Sequence, residues 1–244
     1  MYKNYIKDSE LIKKLEILHE KKYILKELID KQKEKDTFVV ELAGMARTGK
    51  TVSTERIFEF FKMANYTVLR TKEPAQIVKE KYDITKLSNV SFNDKTLEIS
   101  REQLDSCLSM KPDIILQDRG IFDNYIWYQM MFERGDIDEE TYLSKMTNIN
   151  NVIEEDDQLY LMTADPEIIV ARDYSDQIFL EPRKKTTIEG VSKLRESMVN
   201  LIDRFKLDNV YRLDTSNLTE IDTAVIISEN IIDGMTKKLT NKNM

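Results

Sequence analysis

The segment from Gly44 to Thr51 has the residue types and the spacing that bind phosphate groups. It reads Gly-Met-Ala-Arg-Thr-Gly-Lys-Thr and matches the pattern G-x-x-x-x-G-K-[ST] at every specified position. Glycines let backbone N–H groups close around phosphate oxygens, and the start of a following helix adds a favourable dipole. In this pattern Lys50 reaches the β- and γ-phosphates, and the Thr51 hydroxyl binds Mg²⁺. The sequence therefore predicts that ATP with Mg²⁺ is bound by Gly44, Met45, Ala46, Arg47, Thr48, Gly49, Lys50 and Thr51.

Asp118 and Arg119 follow an apolar run, at the point where a strand is expected to end. A carboxylate at this place holds Mg²⁺ in P-loop enzymes, so Asp118 is a predicted metal ligand beside Thr51. Its structural alternative is to cap the next helix. The Arg119 guanidinium could bind a phosphate or stabilise developing charge, and a structural salt bridge is the alternative. We predict catalytic roles for Lys50, Asp118 and Arg119.

A sheet must bring these residues together, and the hydrophobic pattern predicts one. Short apolar runs predict five strands at 37–42, 66–70, 113–116, 159–162 and 210–213. Helical patterns cover 51–64, 97–110, 121–134, a stretch from 138, and 220–238, whereas 75–95 is expected to be a helix and a loop. Strands that alternate with helices predict an α/β P-loop NTPase fold, with three layers and a mostly parallel five-stranded sheet. Helical spacing favours core positions over base stacking for Tyr125, Trp127, Tyr128 and Phe132.

Residues 1–36 form a predicted N-terminal extension to a domain that covers 37–244. Apolar residues recur there with helical spacing at Leu11, Leu15, Leu18, Leu25 and Ile29. This pattern predicts an amphipathic helix, although Lys22 interrupts the apolar stripe. The helix either packs on the main domain or binds a second copy or another protein partner.

Composition excludes several classes of protein. The net charge of −7 argues against an extended nucleic-acid surface. One cysteine cannot form a disulfide within the chain, and one cysteine with one histidine is too few for a Cys/His zinc site. No apolar stretch approaches the roughly 18 residues of a membrane span. We expect a cytoplasmic protein with no membrane segment.

The order of these motifs resembles that of the thymidylate kinases and deoxynucleoside kinases. That group has EGxxGxGK[ST] at the first strand, an EP pair after the second and a (D/E)R pair after the third. This chain has ELAG from Glu41, TKEP ending at Pro74, DR at Asp118, and LDTS at 213–216, similar to the loop near adenine. The stretch DRGIFD resembles even more closely a set of poorly characterised bacterial P-loop proteins described as ATPases.

The resemblance implies residues for the phosphate acceptor. Glu73 matches the glutamate taken as the base for a 5′-hydroxyl, and a solvated loop residue is the alternative. Arg101 and Gln103 lie on the helix that places substrate-reading side chains in that group. An exposed helix face is the alternative for both.

The resemblance also implies residues that close over the nucleotide. Thr215 lies in the segment similar to the adenine loop. Arg172 and Arg183 fall in a region, about 172–190, that corresponds to the lid of nucleotide kinases, whose arginines cover the phosphates. The spacing departs from the usual R-x-x-x-R pattern, so which cation acts stays open.

These features predict an enzyme that moves the γ-phosphoryl group of Mg-ATP onto a small acceptor, a nucleoside or a nucleoside monophosphate. Glu73 suits a hydroxyl acceptor, whereas Arg101 and Arg119 suit a phosphate, so both acceptors stay open. One alternative is a P-loop ATPase or nucleotide-dependent switch that acts with a protein partner. Another is a kinase of a polynucleotide end or of a different small metabolite.

Overall fold

The computed structural model describes residues 9–32, 36–147, 156–177, 186–205 and 210–242. Its helices are α1 (Ser9–Asp30), α2 (Lys50–Lys62), α3 (Pro74–Lys81), α4 (Asn89–Ser109), α5 (Ile121–Glu133), α6 (Glu139–Met146), α7 (Pro166–Gln177), α8 (Ile188–Phe205) and α9 (Glu220–Lys242). Its strands are β1 (Phe38–Gly44), β2 (Val68–Arg70), β3 (Ile114–Asp118), β4 (Gln158–Thr163) and β5 (Val210–Asp214). None of the helices in these ranges has the length and hydrophobicity needed to span a membrane.

The five strands form one parallel sheet in the order β2-β3-β1-β4-β5. The register pairs Leu42 with Asp118 and Gly44 with Met162. The carboxyl ends of β1, β3 and β4 therefore meet at one edge of the sheet. The predicted α/β fold with a five-stranded parallel sheet is confirmed, and the phosphate-binding segment begins at this edge.

Helices cover both faces of the sheet, because successive residues of a buried strand point to opposite sides. Val39 belongs to a core shared with α5, α6 and α8. The next residue, Val40, belongs to a second core shared with α1, α2 and α9. The domain thus has the three layers that the sequence predicts.

The N-terminal helix α1 packs against the second core. Leu18, Leu25 and Ile29 are buried there. Lys22, which interrupts the apolar stripe, is fully buried, and its Nζ donates to the carbonyl oxygen of Phe60 in the last turn of α2 at 2.8 Å. A cation beside a helix C-terminus is favourable, although burial lowers the pKa of Lys22. The division of the chain at residue 36 stays a prediction.

Three helical segments differ from the sequence expectations. Helix α4 begins at Asn89, eight residues before the predicted start, because the Ser88 side chain accepts a hydrogen bond from Ser91 N–H and caps it. Its buried face includes polar residues such as Asn93 and Ser100, which hide the apolar periodicity. Helices α7 and α8 lie where the sequence analysis predicts no helix, and part of their region is the predicted lid.

Candidate active site

The segment between β1 and α2 adopts backbone conformations that only a glycine-rich sequence tolerates well. Gly44 has φ of 112° and Gly49 has φ of 87°, and Arg47 between them has φ of 61°. A Cβ atom at Gly44 would lie 2.4 Å from the carbonyl oxygen of Met162 on β4. This segment from Gly44 to Thr51, the predicted phosphate loop, therefore lies directly against the neighbouring strand. It leads into the first turn of α2 at Lys50.

Lys50 is buried inside this loop. Its Nζ donates to the carbonyl oxygens of Gly44, at 3.2 Å, and of Met45, and it lies 3.2 Å from Thr48 Oγ1. Burial, and to a smaller extent the nearby Arg119, lower the pKa of Lys50 to about 7, although the carboxylates around it act in the opposite direction. An anion that enters the loop would restore the ammonium charge, which is the requirement of a phosphate site.

Thr51 and Asp118 lie in contact, as expected of two ligands of one metal ion. Thr51 Oγ1 donates to Asp118 Oδ2 at 2.6 Å, with Asp118 at the end of β3. Hard cations such as Mg²⁺ prefer oxygen ligands and are often held by one carboxylate and substrate phosphates. In the described ranges no cluster of three or more His, Cys, Asp or Glu residues could hold a metal alone. This pair fits Mg²⁺ that arrives with a nucleotide.

Arg119 joins the loop to two carboxylates. Its Nη1 donates to the Gly44 carbonyl oxygen at 3.0 Å and to both Asp123 oxygens at 2.9 and 3.0 Å. Its Nε lies 3.2 Å from Glu73 Oε1. The backbone N–H of Gly44 also donates to Asp123 Oδ1 at 2.9 Å. The predicted residues Glu73 and Arg119 therefore meet beside the phosphate loop.

Asp123 is a site residue that the sequence analysis missed. It lies four residues after Arg119 in the stretch DRGIFD, and this short spacing of opposite charges was a usable signal. Lys50 lies close enough to Asp123, Asp118 and Glu73 for all three carboxylates to raise its pKa. The residues predicted for the donor and for the acceptor thus share one cluster of charges.

Glu41 holds the start of α5 and so positions Asp123. Its carboxylate accepts hydrogen bonds from the backbone N–H groups of Phe122 and Asp123, both at 3.0 Å. Desolvation raises the pKa of this fully buried carboxyl to about 7 against those bonds, and the Asp123 charge adds to the rise. A Cβ atom at Gly120 would lie 2.4 Å from Glu41 Oε2, so glycine is required there for space.

Arg47, Arg172 and Thr215 meet on the other side of the loop. Arg172 Nη1 donates to the Arg47 carbonyl oxygen at 3.0 Å, and its Nη2 donates to the Thr215 carbonyl oxygen at 2.9 Å. Arg47 Nε lies 3.0 Å from Asp173 Oδ1. Arg172 thus connects the phosphate loop to the segment after β5. Arg183 lies outside the described residues, and the lid over 172–190 stays a prediction.

A cavity of about 470 Å³ opens beside this cluster, between α3, α4 and α5. Its lining residues are Glu73, Pro74, Ala75, Lys79, Asn89, Phe92, Asn93, Thr96, Arg119, Gly120, Asp123, Asn124, Trp127, Met131 and Arg134. Glu73, Arg119 and Asp123 form its border with the phosphate loop. Asn124 is 1% exposed, and its Oδ1 has no hydrogen-bond partner among the described residues. The side chain of Asn124 therefore forms part of the cavity wall, with its Oδ1 shielded from solvent.

Trp127 corrects the expectation for the aromatic residues. Tyr125 and Tyr128 are buried in the core, as their spacing predicts. Trp127 is instead 38% exposed and lines the cavity, because it lies on the side of α5 that faces α4 and α3. An aromatic ring in a cavity wall can stack against a flat ligand.

Arg101 and Gln103 do not belong to the cavity lining in the described part of the chain. The Gln103 amide accepts a hydrogen bond from Lys72 N–H at 3.0 Å and donates to the Lys72 carbonyl oxygen at 3.1 Å. Gln103 therefore holds the backbone next to Glu73, and the substrate-binding roles of Arg101 and Gln103 stay predictions. The residues of α4 that line the cavity lie earlier, at Asn93 and Thr96, before the predicted start of the helix at residue 97.

Solved structures of known kinases have the same arrangement of strands and helices. Deoxyadenosine kinase from M. mycoides with bound dATP matches with a TM-score of 0.54 and 16% identity, over 80% of this chain and 100% of that chain. Thymidylate kinase from Candida albicans matches with a TM-score of 0.54 and 16% identity, over 83% of this chain and 93% of that chain. The fold is that of the P-loop nucleoside and nucleotide kinases. A second structure of the M. mycoides kinase, with products dCMP and a flexible dCDP, shares this kinase fold. It matches with a TM-score of 0.53 and 15% identity, over 80% of this chain and 99% of that chain.

No protein-family model and no curated protein matches the sequence. At the identities above, the likeness to the solved kinases establishes the fold and not the reaction. Activity must therefore be argued from the site of this chain.

Proposed function

We propose that the protein transfers the γ-phosphoryl group of Mg-ATP to a nucleoside or a nucleoside monophosphate. One observation supports this proposal above the others. A cavity large enough for a small molecule meets the phosphate loop at Glu73, Arg119 and Asp123. A donor and an acceptor bound on the two sides of this border would have their reacting groups adjacent, and positioning is the main part of catalysis in phosphoryl transfer.

On the donor side, Lys50 would bind the β- and γ-phosphates and keep its ammonium charge in their presence. Thr51 and Asp118 would hold Mg²⁺, which when bound neutralises phosphate oxygens. Arg172, which contacts both the loop and the Thr215 segment, is suited to fix the nucleotide between them. These residues bind and orient the donor, and they take no proton from the acceptor during phosphoryl transfer.

On the acceptor side, Glu73 is the candidate base. Its contact with Arg119 holds the carboxylate at the border, where it could accept the proton of an attacking hydroxyl. Trp127 and Phe92 offer rings that could stack against a flat base. A nucleoside or nucleotide has all the groups that this cavity could satisfy.

A P-loop ATPase that acts with a protein partner is the second candidate. Helix α1 has Ile17, Ile24 and Leu28 exposed by 45% or more, and their spacing places them on one side of the helix. Exposed apolar residues in such a row favour a partner surface, although the opposite side of α1 already packs on the core.

Turnover of Mg-ATP with and without acceptors distinguishes the two candidates. The protein is incubated with a panel of nucleosides, monophosphates and sugars, and both ADP and new phosphorylated product are followed. The kinase proposal expects ADP formation that an acceptor stimulates, with one product molecule for each ADP. Slow ATP hydrolysis at a rate that no acceptor changes would favour the partner-dependent ATPase. Lys50→Ala serves as the control and should abolish turnover in either case.

A further inference from the structure

The border between the cavity and the phosphate loop contains a carboxylate that donor binding does not use. The Asp123 side chain is only 8% exposed. Its oxygens accept hydrogen bonds from Arg119 Nη1 and from Gly44 N–H, at 2.9 to 3.0 Å. Arg119 also pairs with Glu73 through Nε. One guanidinium is therefore matched by two carboxylates at the place where an acceptor must react.

Asp123 cannot turn away from Arg119 without breaking other contacts. Its backbone N–H is bonded to Glu41, and its Oδ1 is bonded to the loop at Gly44. The absence of space for a Cβ at Gly120 leaves little freedom for this end of α5 to shift. The Asp123 charge therefore stays beside Arg119 whatever occupies the cavity.

The other two cations of the cavity lining lie away from this border. Lys79 and Arg134 are both exposed, and Arg134 pairs with Asp136 at 2.6 Å. Arg134 follows the last residue of α5, about 20 Å along the helix from Gly120. Lys79 lies about 9 Å along α3 from Glu73. Neither backbone position places a cation next to Asp123.

From this charge arrangement we infer that the acceptor is an uncharged hydroxyl compound, a nucleoside, and that Asp123 rejects the corresponding 5′-monophosphate. The inference rests on the proposed phosphotransfer. A phosphate at the reacting end would meet the charges of Asp123 and Glu73 with one guanidinium between them, because the nearby Lys50 is engaged by the phosphates of the donor. Like charges placed close together in a partly dehydrated site discriminate strongly between ligands.

A neutral hydroxyl meets no such repulsion. Its oxygen forms a bond to the γ-phosphorus, and the bond between that phosphorus and the β–γ bridging oxygen breaks. The hydroxyl proton passes to the Glu73 carboxylate, and ADP leaves with the electron pair of the broken bond. Asp123 takes no part in these bond changes. It acts as a specificity residue through its charge and through the position of Arg119.

The test compares nucleosides with their 5′-monophosphates as acceptors for the purified full-length protein. Each common ribonucleoside and deoxynucleoside, and its 5′-monophosphate, is incubated with ATP labelled in the γ-phosphate, and the labelled product is separated. We expect kcat/KM for the best nucleoside to exceed that for its monophosphate by at least about a hundredfold. A preference for the monophosphate would overturn the inference and leave the proposed phosphotransfer intact. Failure to label any acceptor would instead refute the phosphotransfer itself, and the inference with it.

Two variants test Asp123 directly. Asp123→Asn keeps an oxygen for the Gly44 N–H and removes the charge, so we expect the preference for the nucleoside to fall at least about tenfold. Asp136→Asn removes the carboxylate that pairs with Arg134, far from the border with the phosphate loop, and should leave the preference unchanged. An unchanged preference in folded Asp123→Asn, or an equal fall in both variants, would contradict the role of Asp123. The wild-type comparison decides the charge of the acceptor even if Asp123→Asn does not fold.

Discussion

Binding of an ATP analogue should draw about one proton onto the protein above pH 8, and Lys50 should be its destination. Without nucleotide, burial lowers the pKa of Lys50 from 10.5 to about 7. Phosphates beside the ammonium group favour its charged form and should return the pKa toward its ordinary value. At pH 8 the free protein then has Lys50 about one-tenth protonated and the complex almost fully protonated, so uptake is about 0.9 proton. At pH 6 both states are protonated and uptake falls to about 0.1.

The same linkage sets the pH dependence of affinity. Because the complex holds a proton that the free protein has lost, affinity falls as pH rises from about 7 toward 10.5. The two pKa values give a Kd that weakens about fiftyfold between pH 7 and pH 9. Below pH 7 the contribution of Lys50 to the pH dependence disappears.

Calorimetry with a non-hydrolysable ATP analogue and Mg²⁺ measures this uptake. Titrations at pH 8 in buffers with different ionisation enthalpies give the number of protons exchanged from the slope of the observed heat. Lys50→Arg is the matched control, since its guanidinium cannot lose a proton in this range. Protons that belong to the analogue itself appear in both proteins and cancel. Uptake near zero in the wild type, or equal uptake in Lys50→Arg, would refute the assignment to Lys50.

Three further predictions concern the same site. Lys50→Met should raise the free energy of unfolding of the nucleotide-free protein in urea by roughly 1–3 kcal/mol at pH 6, because the wild type buries a charged ammonium group there. This difference in stability should shrink as pH rises through 7, where Lys50 of the folded wild type loses its proton. Gly44→Ala should lower the free energy of unfolding in urea by about 3 kcal/mol or more and should abolish nucleotide binding. The control Gly135→Ala, at a residue with a positive φ but with open space around it, should lower the free energy of unfolding by about 1 kcal/mol. Asp118→Asn should raise the Mg²⁺ concentration for half-maximal turnover by about 10–100-fold, because Thr51 alone remains as a protein ligand; an unchanged Mg²⁺ titration would remove Asp118 from the metal site.

Local sequence patterns predicted the phosphate loop and the sheet. The G-x-x-x-x-G-K-T run specifies a turn and a helix start within eight residues, and the glycine conformations observed at Gly44 and Gly49 follow from that chemistry. The buried strands could also be predicted from the sequence, because parallel strands covered on both faces are nearly continuous apolar runs. Asp118 could be placed at the end of β3 for the same reason.

The acceptor side could not be predicted in the same way. Helix α4 presents Asn93 and Thr96 to the cavity, and these polar residues interrupt the periodicity by which a buried helix is recognised. Trp127 has the spacing of a core residue, yet it faces a cavity because α3 and α4 leave a gap beside it. Lys22 likewise interrupts an apolar stripe in the sequence, but it is buried because the carbonyl oxygen of Phe60 accepts a hydrogen bond from it.

The sequence by itself determined which residues are predicted to bind a polyphosphate, and that a parallel sheet positions them. Both properties depend on residues that lie within a few positions of one another in the chain. Tertiary structure alone decided that Asp123 contacts Gly44, 79 positions away along the chain, and that Glu73 meets Arg119. Charge balance and cavity shape arise from such distant contacts, and no local pattern specifies them. The predicted donor site is therefore a property of the motif, whereas the proposed acceptor site is a property of the fold.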